Sequence, residues 1–207
     1  MALARLSLLK DDLKISGTPQ DARLKEALLG ATSMAESHTN RLHLEKPDAD
    51  ITEYYSPSDV LNDRLYLRNF PTGTITTIKE NFGLSDVSTI ASGDYTVFDD
   101  EGFVRFDDDT PDDTGINTIE VTYSPGYTTT NWETLALGSP LGDVPADLER
   151  AVMMLASKFW LDSKQGHGRA GVSSKSRGPE SVSFTFRDEA MPKEVEAILD
   201  RYISLGF

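Results

Sequence analysis

The segment PADLERAVMMLASKFWLDSK, residues 145–164, constrains the fold more than any other stretch of the chain. Pro145 has a fixed φ and no N–H, which suits the first turn of a helix. Asp143 or Asp147 can accept the free N–H groups there, and an acidic residue complements the positive end of the helix dipole. Leu148, Ala151, Val152, Leu155, Ala156, Phe159 and Trp160 recur at intervals of three and four and form one continuous apolar stripe. Lys164 and Gly166 are stop signals, so the spacing predicts a helix over 145–164. Burying Phe159 and Trp160 contributes about 2–3 kcal/mol each before entropy is counted.

Two other segments offer matching stripes. Thr18-Pro19 is a helix start, and Leu24, Leu28, Ala31, Ala35, His38 and Leu42 then share one face, which predicts a helix over 19–44. Pro192 opens a last helix, predicted over 192–205, with Val195, Ile198, Leu199, Tyr202 and Ile203 aligned. Residues 3–15 are rich in leucine and read as a short helix or a packing arm, broken at Ser16-Gly17. Between the helical segments the period changes. Residues 64–70 alternate, 74–79 are β-branched, and 95–98, 103–106 and 118–123 read as further short strands. Asp99-Asp100-Glu101-Gly102 reads as a hairpin turn, and 47–63 as loop. Roughly five strands this close in sequence favour an antiparallel sheet. The expected fold is α+β: a helical bundle of three rods with a small antiparallel β insertion. Residues 1–46 and 141–207 form the frame, and 47–140 the insertion.

Charge marks the same boundary. Residues 1–44 carry six Lys/Arg against five Asp/Glu, and 141–207 carry nine against ten. Residues 45–140 carry five against nineteen, which accounts for the whole formal charge of −14. That balance argues against a general nucleic-acid-binding surface. The chain has no cysteine, which excludes disulfides, thiolate metal sites and a cysteine nucleophile. No apolar run reaches the roughly 18–20 residues of a membrane span. The N-terminal apolar run meets acidic residues too soon for a signal peptide.

Reactive constellations are thin. The histidines are His38, His43 and His167, and His38 lies beside an apolar stripe, where a hydrogen-bonded imidazole is expected rather than a metal ligand. There is no Gly-x-Ser-x-Gly elbow, Walker loop or dinucleotide fingerprint. Asp99, Asp100, Glu101, Asp107, Asp108, Asp109, Asp112 and Asp113 supply oxygen ligands for a divalent cation, but their spacing does not match an EF-hand. Solvated hairpin turns account for them more simply. Residues 165–180, rich in Gly and Ser, read as a mobile loop made basic by Arg169, Lys175 and Arg177. Such a loop is an exposed linker, or a segment that orders against an acidic partner or the DNA backbone.

The order of parts adds a resemblance. LKDDLKI leads into a long helix ending near Arg41; a short-stranded insertion ends in VTYSPGYTT. VPADLERAVMMLASKFW, a Gly/Ser loop and PKEVEAILDRYI follow. In this succession the chain resembles the head–tail connector (adaptor, head-completion) proteins of long-tailed bacteriophages. The resemblance implies a structural virion protein at the head–tail junction, made in the host bacterial cytoplasm. It implies a ring, twelve-fold, beneath the portal protein, extending the channel for the genomic DNA and receiving the next neck or tail-completion protein. It implies neither catalysis nor a cofactor or metal. The residues expected to touch portal or neck protein are Arg169, Lys175, Arg177, Tyr202 and Phe207. The alternatives are a tail-completion or neck protein at another level of the connector, and a divalent-metal enzyme using the acidic cluster. Whether the acidic insertion faces the lumen or the outer wall is open at the level of sequence.

Overall fold

A computed structural model describes residues 2–107, 111, 115–169, 174–177, 180–183 and 191–204; between 165 and 183 the description is of the backbone alone. Among the described residues four helices form: α1 Leu6–Asp12, α2 Asp21–Thr39, α3 Ala146–Arg169 and α4 Lys193–Leu199, the last continued by a 3-10 turn at Asp200–Tyr202. The leucine and alanine stripes explain their assembly. Leu24, Leu28, Ala31 and Ala35 of α2 meet Leu148, Ala151, Val152, Leu155, Ala156 and Trp160 of α3 in one buried cluster. Val195 and Leu199 of α4 and Leu6 and Leu9 of α1 close it. Arg5 clamps the N-terminal segment to α3: its Nε lies 2.6 Å from Glu149 Oε1 and its Nη2 2.8 Å from Oε2. The planar guanidinium matches the carboxylate with two parallel bonds.

Helix ends differ from the sequence expectation for local reasons. α2 stops at Thr39 because Asn40 adopts the left-handed conformation at φ 54°, a role asparagine fills at modest cost. α3 runs through Gly166 to Arg169, so the glycine does not end it. Part of the expected loop is β-structure: β9 Ser174–Arg177 pairs antiparallel with β10 Glu180–Ser183. The remainder of the loop reading, at 170–173 and 178–179, lies outside the described residues, as do 184–187 of the stretch Ser181–Arg187, whose alternation also reads as a strand.

The helical-bundle expectation with a small β insertion is overturned. Eight strands fold between α2 and α3: β1 Ile51–Tyr55, β2 Val60–Leu61, β3 Arg64–Tyr66, β4 Thr74–Glu80, β5 Ser88–Ile90, β6 Tyr95–Phe98, β7 Phe103–Phe106 and β8 Ile119–Ser124. They make two four-stranded antiparallel sheets, ordered β1-β8-β4-β5 and β2-β3-β7-β6. The sheets enclose their own core of Tyr55, Leu65, Leu67, Ile78, Val104, Phe106, Ile119, Val121 and Tyr123. The molecule is therefore mixed α+β, with a sheet core standing beside the helical one. β1 and β2 come from the stretch 47–63 that reads as loop. Glu53 interrupts the apolar alternation of ITEYY, and its burial depends on partners far away in sequence.

Gly126, in the YSPGY segment, is where the two parts touch backbone to backbone. Its φ is +90°, and a Cβ there would sit 2.7 Å from the Glu45 carbonyl carbon and 2.8 Å from Lys46 N. The next residue, Tyr127, donates its N–H to the Leu44 carbonyl at 2.8 Å and accepts from Lys46 N–H at 2.9 Å, a short parallel bridge. Gly126→Ala combines backbone strain of about 1–3 kcal/mol with this collision. The substitution is expected to lower the urea midpoint with an unchanged m-value, read by circular dichroism.

Candidate assembly seam and surfaces

The strongest polar constellation lies where α2 hands the chain to the sheets. Beyond Asn40, the N–H groups of Leu42 and His43 donate to Asn69 Oδ1 at 2.9 and 3.0 Å. Asn69 is fully buried, and its Nδ2 donates to Glu53 Oε1 at 2.8 Å. Glu53 Oε2 accepts from the Tyr123 hydroxyl at 2.7 Å and from the Tyr55 hydroxyl. The Asn69 N–H in turn donates to the Tyr123 oxygen at 3.3 Å. A buried carboxylate is costly unless its lone pairs are occupied, and here hydroxyl and amide donors occupy them. Burial, followed by the neighbouring Glu53 charge, pushes both tyrosine hydroxyls well above their ordinary range.

Arg41 fills the adjoining space with only 2% of its surface exposed. Its Nη1 donates to the Phe70 carbonyl at 2.6 Å, and the guanidinium lies 3.1 Å above the Phe70 ring. Burial lowers its pKa to about 10, which leaves it protonated at neutral pH. On the other side of the seam, the Tyr127 and Tyr202 rings meet edge to face at 6.5 Å. The Tyr202 hydroxyl donates to Asp147 Oδ1 at 2.6 Å, the same oxygen that receives the Leu148 N–H at the start of α3. Asp143 instead accepts the Thr128 N–H.

The expected contact residues are not gathered in one place. Tyr202 is at the seam beside the first turn of α3. Arg169 is the last residue of α3, 22 positions beyond Asp147, or about 33 Å along the helix. Lys175 and Arg177 lie in β9, facing Val182 and Glu180 in register. Phe207 lies outside the described residues. His38 Nε2 is 2.9 Å from Asp200 Oδ1, tying α2 to the C-terminal turn. Sequence reasoning missed Glu53, Asn69 and Arg41; the one available signal was a lone carboxylate inside an aromatic, β-branched strand.

Among the described residues, clefts lie beside this seam. One, about 350 Å³, lies between α2 and the following segment and is lined by Leu29, Glu36, Leu42, His43, Lys46 and Pro47. The other, about 170 Å³, includes Lys46, Asp99, Asp100, Tyr127 and Asp143. In the second cleft Asp99 Oδ1 already accepts from Thr72 Oγ1 at 3.1 Å and Gly73 N–H at 2.7 Å. Among the described residues no group of three or more His, Cys, Asp or Glu is arranged to hold a metal ion. Asp108, Asp109, Asp112 and Asp113 lie outside them.

Comparison with known proteins gives a consistent result. The family model described as "Head completion protein" matches residues 6–205. Among solved structures, the chain is similar to a protein in the neck of an empty GTA particle computed with C6 symmetry. The TM-score is 0.55 at 17% identity, covering 98% of this chain and 90% of the other. A chain from the virion of a native gene transfer agent particle gives 0.53 at 17% identity, with coverage of 98% and 90%. One from the neck of a native GTA particle computed with C12 symmetry gives 0.51 at 14% identity, with coverage of 93% and 94%. No curated protein matches in sequence.

Removing the carboxylate at the hub strands several buried donors, each worth about 1–3 kcal/mol and not additive. Glu53→Ala is expected to destabilise by roughly 3 kcal/mol or more and Glu53→Gln by less, in urea titrations. The tyrosines set an alkaline limit. Their folded-state pKa values are raised, so their contribution is fully present below the unfolded value of about 10. It is lost as pH rises beyond that, because the unfolded chain releases its phenolic protons first. Stability should fall above about pH 10, less steeply in Tyr55→Phe.

Proposed function

The chain belongs to the head completion protein family, and from that premise we propose that it is a structural subunit of the virion neck, at the head–tail junction of a phage-like particle. The observation that carries this reading is the extent of the family match, which runs through helices and sheets alike from residue 6 to residue 205. Copies form a closed ring, twelve-fold, beneath the portal protein. The ring extends the passage for DNA without reading its sequence and offers its far side to the next neck or tail-completion protein. A head-to-tail contact that closes on rotation generates such a ring from one kind of subunit. The necks computed with C6 and C12 symmetry, in which similar chains stand, support the cyclic arrangement.

In this role residues 1–46 and 141–207 are the frame and 47–140 the unit it carries. Arg169, Lys175, Arg177, Tyr202 and Phe207 belong to the surfaces that meet portal or neck partners. The seam suits the task, since a subunit that bears load between two neighbours needs its halves fixed to each other. The role requires no reaction at the protein.

Light scattering after size-exclusion chromatography, on the full chain with and without portal-bearing particles, tests the proposal. The chain is expected to join the particles as a ring-sized mass. Assembly only on the partner also supports it, because the partner stabilises the assembled state by mass action. A chain that stays monomeric in both conditions and is missing from particles overturns it.

A further inference from the structure

The second sheet turns an aromatic and cationic face away from the core. Leu65 and Val104 enter the buried cluster, so strand alternation sends Arg64 and Tyr66 of β3 and Phe103 and Arg105 of β7 to the opposite side. Register sets Tyr66, Phe103 and Phe98 in one row across β3, β7 and β6. The rings touch: Phe98 and Phe103 stack at 4.4 Å, and Tyr66 lies 5.3 Å from Phe103. Phe103 is only 7% exposed yet stands outside the core cluster; its cover comes from this face. The adjoining row sets Arg64 directly opposite Arg105. Their guanidinium carbons lie 5.1 Å from the Phe103 ring and 5.6 Å from the Phe98 ring. Leu61, the partner of Arg64 on β2 and 48% exposed, extends the row.

Like charges directly opposite each other on a sheet work against folding. Only one of these two is neutralised. Asp107 accepts from Arg105 Nη2 at 2.8 Å, whereas Arg64 has no ion-pair partner among the described residues. Opposed guanidinium groups beside an aromatic row fit a ligand that brings a carboxylate and an apolar side chain together. A DNA backbone fits less well, because exposed Asp63, Asp99 and Asp107 border the face and repel phosphates. A second copy of this chain offers the matching pair. In the connection from β4 to β5 every residue from Phe82 to Val87 is exposed, and Phe82, Leu84 and Val87 flank Asp86. The Phe82 N–H fixes the base of this loop by donating to the Thr118 carbonyl at 2.8 Å. Among the described residues the Asp86 carboxylate accepts only the hydroxyl of its neighbour Ser85, at 3.0 Å. Loop and face belong to different sheets, so one copy can make both contacts at once, as a closing ring requires.

We propose that loop 81–87 of one copy seats on this face of the next, with Asp86 at Arg64 and Arg105 and the loop's apolar side chains against Tyr66 and Leu61. The inference rests on the ring reading above and specifies one contact within it. Apolar burial supplies contact area, and the carboxylate between two guanidinium groups sets direction.

Arg64→Glu in the full chain separates contact from fold. It replaces a repelling cross-strand pair with an attracting one, so the urea midpoint of the isolated chain should hold or rise. Assembly on portal-bearing particles should fall about tenfold, and adding Asp86→Arg to the same chain should restore it. The absence of cysteine allows a check of geometry. Leu61→Cys and Leu84→Cys chains, both at exposed positions, are mixed, assembled on the particles and treated with a short bis-maleimide. A dimer containing one of each is expected in the mixture and in neither variant alone. A lowered midpoint in Arg64→Glu shows that the arginine serves the fold and overturns the contact. So does undiminished assembly, a charge swap that restores nothing, or an assembled mixture without the mixed dimer; each leaves the ring reading standing. Loss of packaged DNA with assembly intact marks a DNA surface and overturns it too. Failure of the unmodified chain to assemble removes the ring reading and this contact together.

Discussion

The buried carboxylate of Glu53 is the contact on which the arrangement of this molecule turns. It belongs to β1, yet its ligands are a tyrosine on the same strand, a tyrosine on β8 and an asparagine that reaches back to the end of α2. One group thus fixes three things: the pairing of β1 with β8, the position of the 67–70 segment over the sheet, and the exit direction of the chain from α2. An apolar residue of similar shape would fill the space but leave the phenols and the amide without acceptors. The charge is what makes the junction specific, because three donors from three segments of the chain converge on it.

The helical side shows the same economy. The Arg5–Glu149 pair, with side chains 13% and 8% exposed, holds the N-terminal segment across α3. Ser157 adds a bond to Asp12 at 2.8 Å. Leu6 donates its N–H to the Trp132 carbonyl at 2.9 Å, so the link returning from the sheets is captured by the first residue of α1. The apolar stripes bring the helices together, and these few polar contacts select which faces and which register they adopt.

The helices were legible because their information is local. Leu148 to Trp160 repeats with the helical period, and every one of those residues apart from the half-buried Phe159 is buried as the spacing demands. The sheets were legible only in part. β3, β4, β6, β7 and β8 show through alternation and β-branching, but β1 does not, because burying Glu53 makes sense only once Tyr123 and Asn69, 70 and 16 residues away, are in place. The division into two sheets was not legible either. β1 pairs with β8 across the whole unit, and nothing in neighbouring residues records that pairing. The acidic imbalance of residues 45–140 marks a boundary of composition, and charge speaks to surface and partners, not to strand order. The seam residues Arg41, Asn69 and Tyr127 carry no local signature, since each acts through a contact made by folding.

The crossing between helices and sheets consists of two chain segments, not one, and the Glu45–Tyr127 bridge fastens them side by side. A body hung from a single strand swivels freely about it. Hung from two segments pinned side by side by a two-bond bridge, with Gly126 letting them touch, it resists that swivel. Torque applied at the sheets must then pass directly into the helices, as through a keyed shaft.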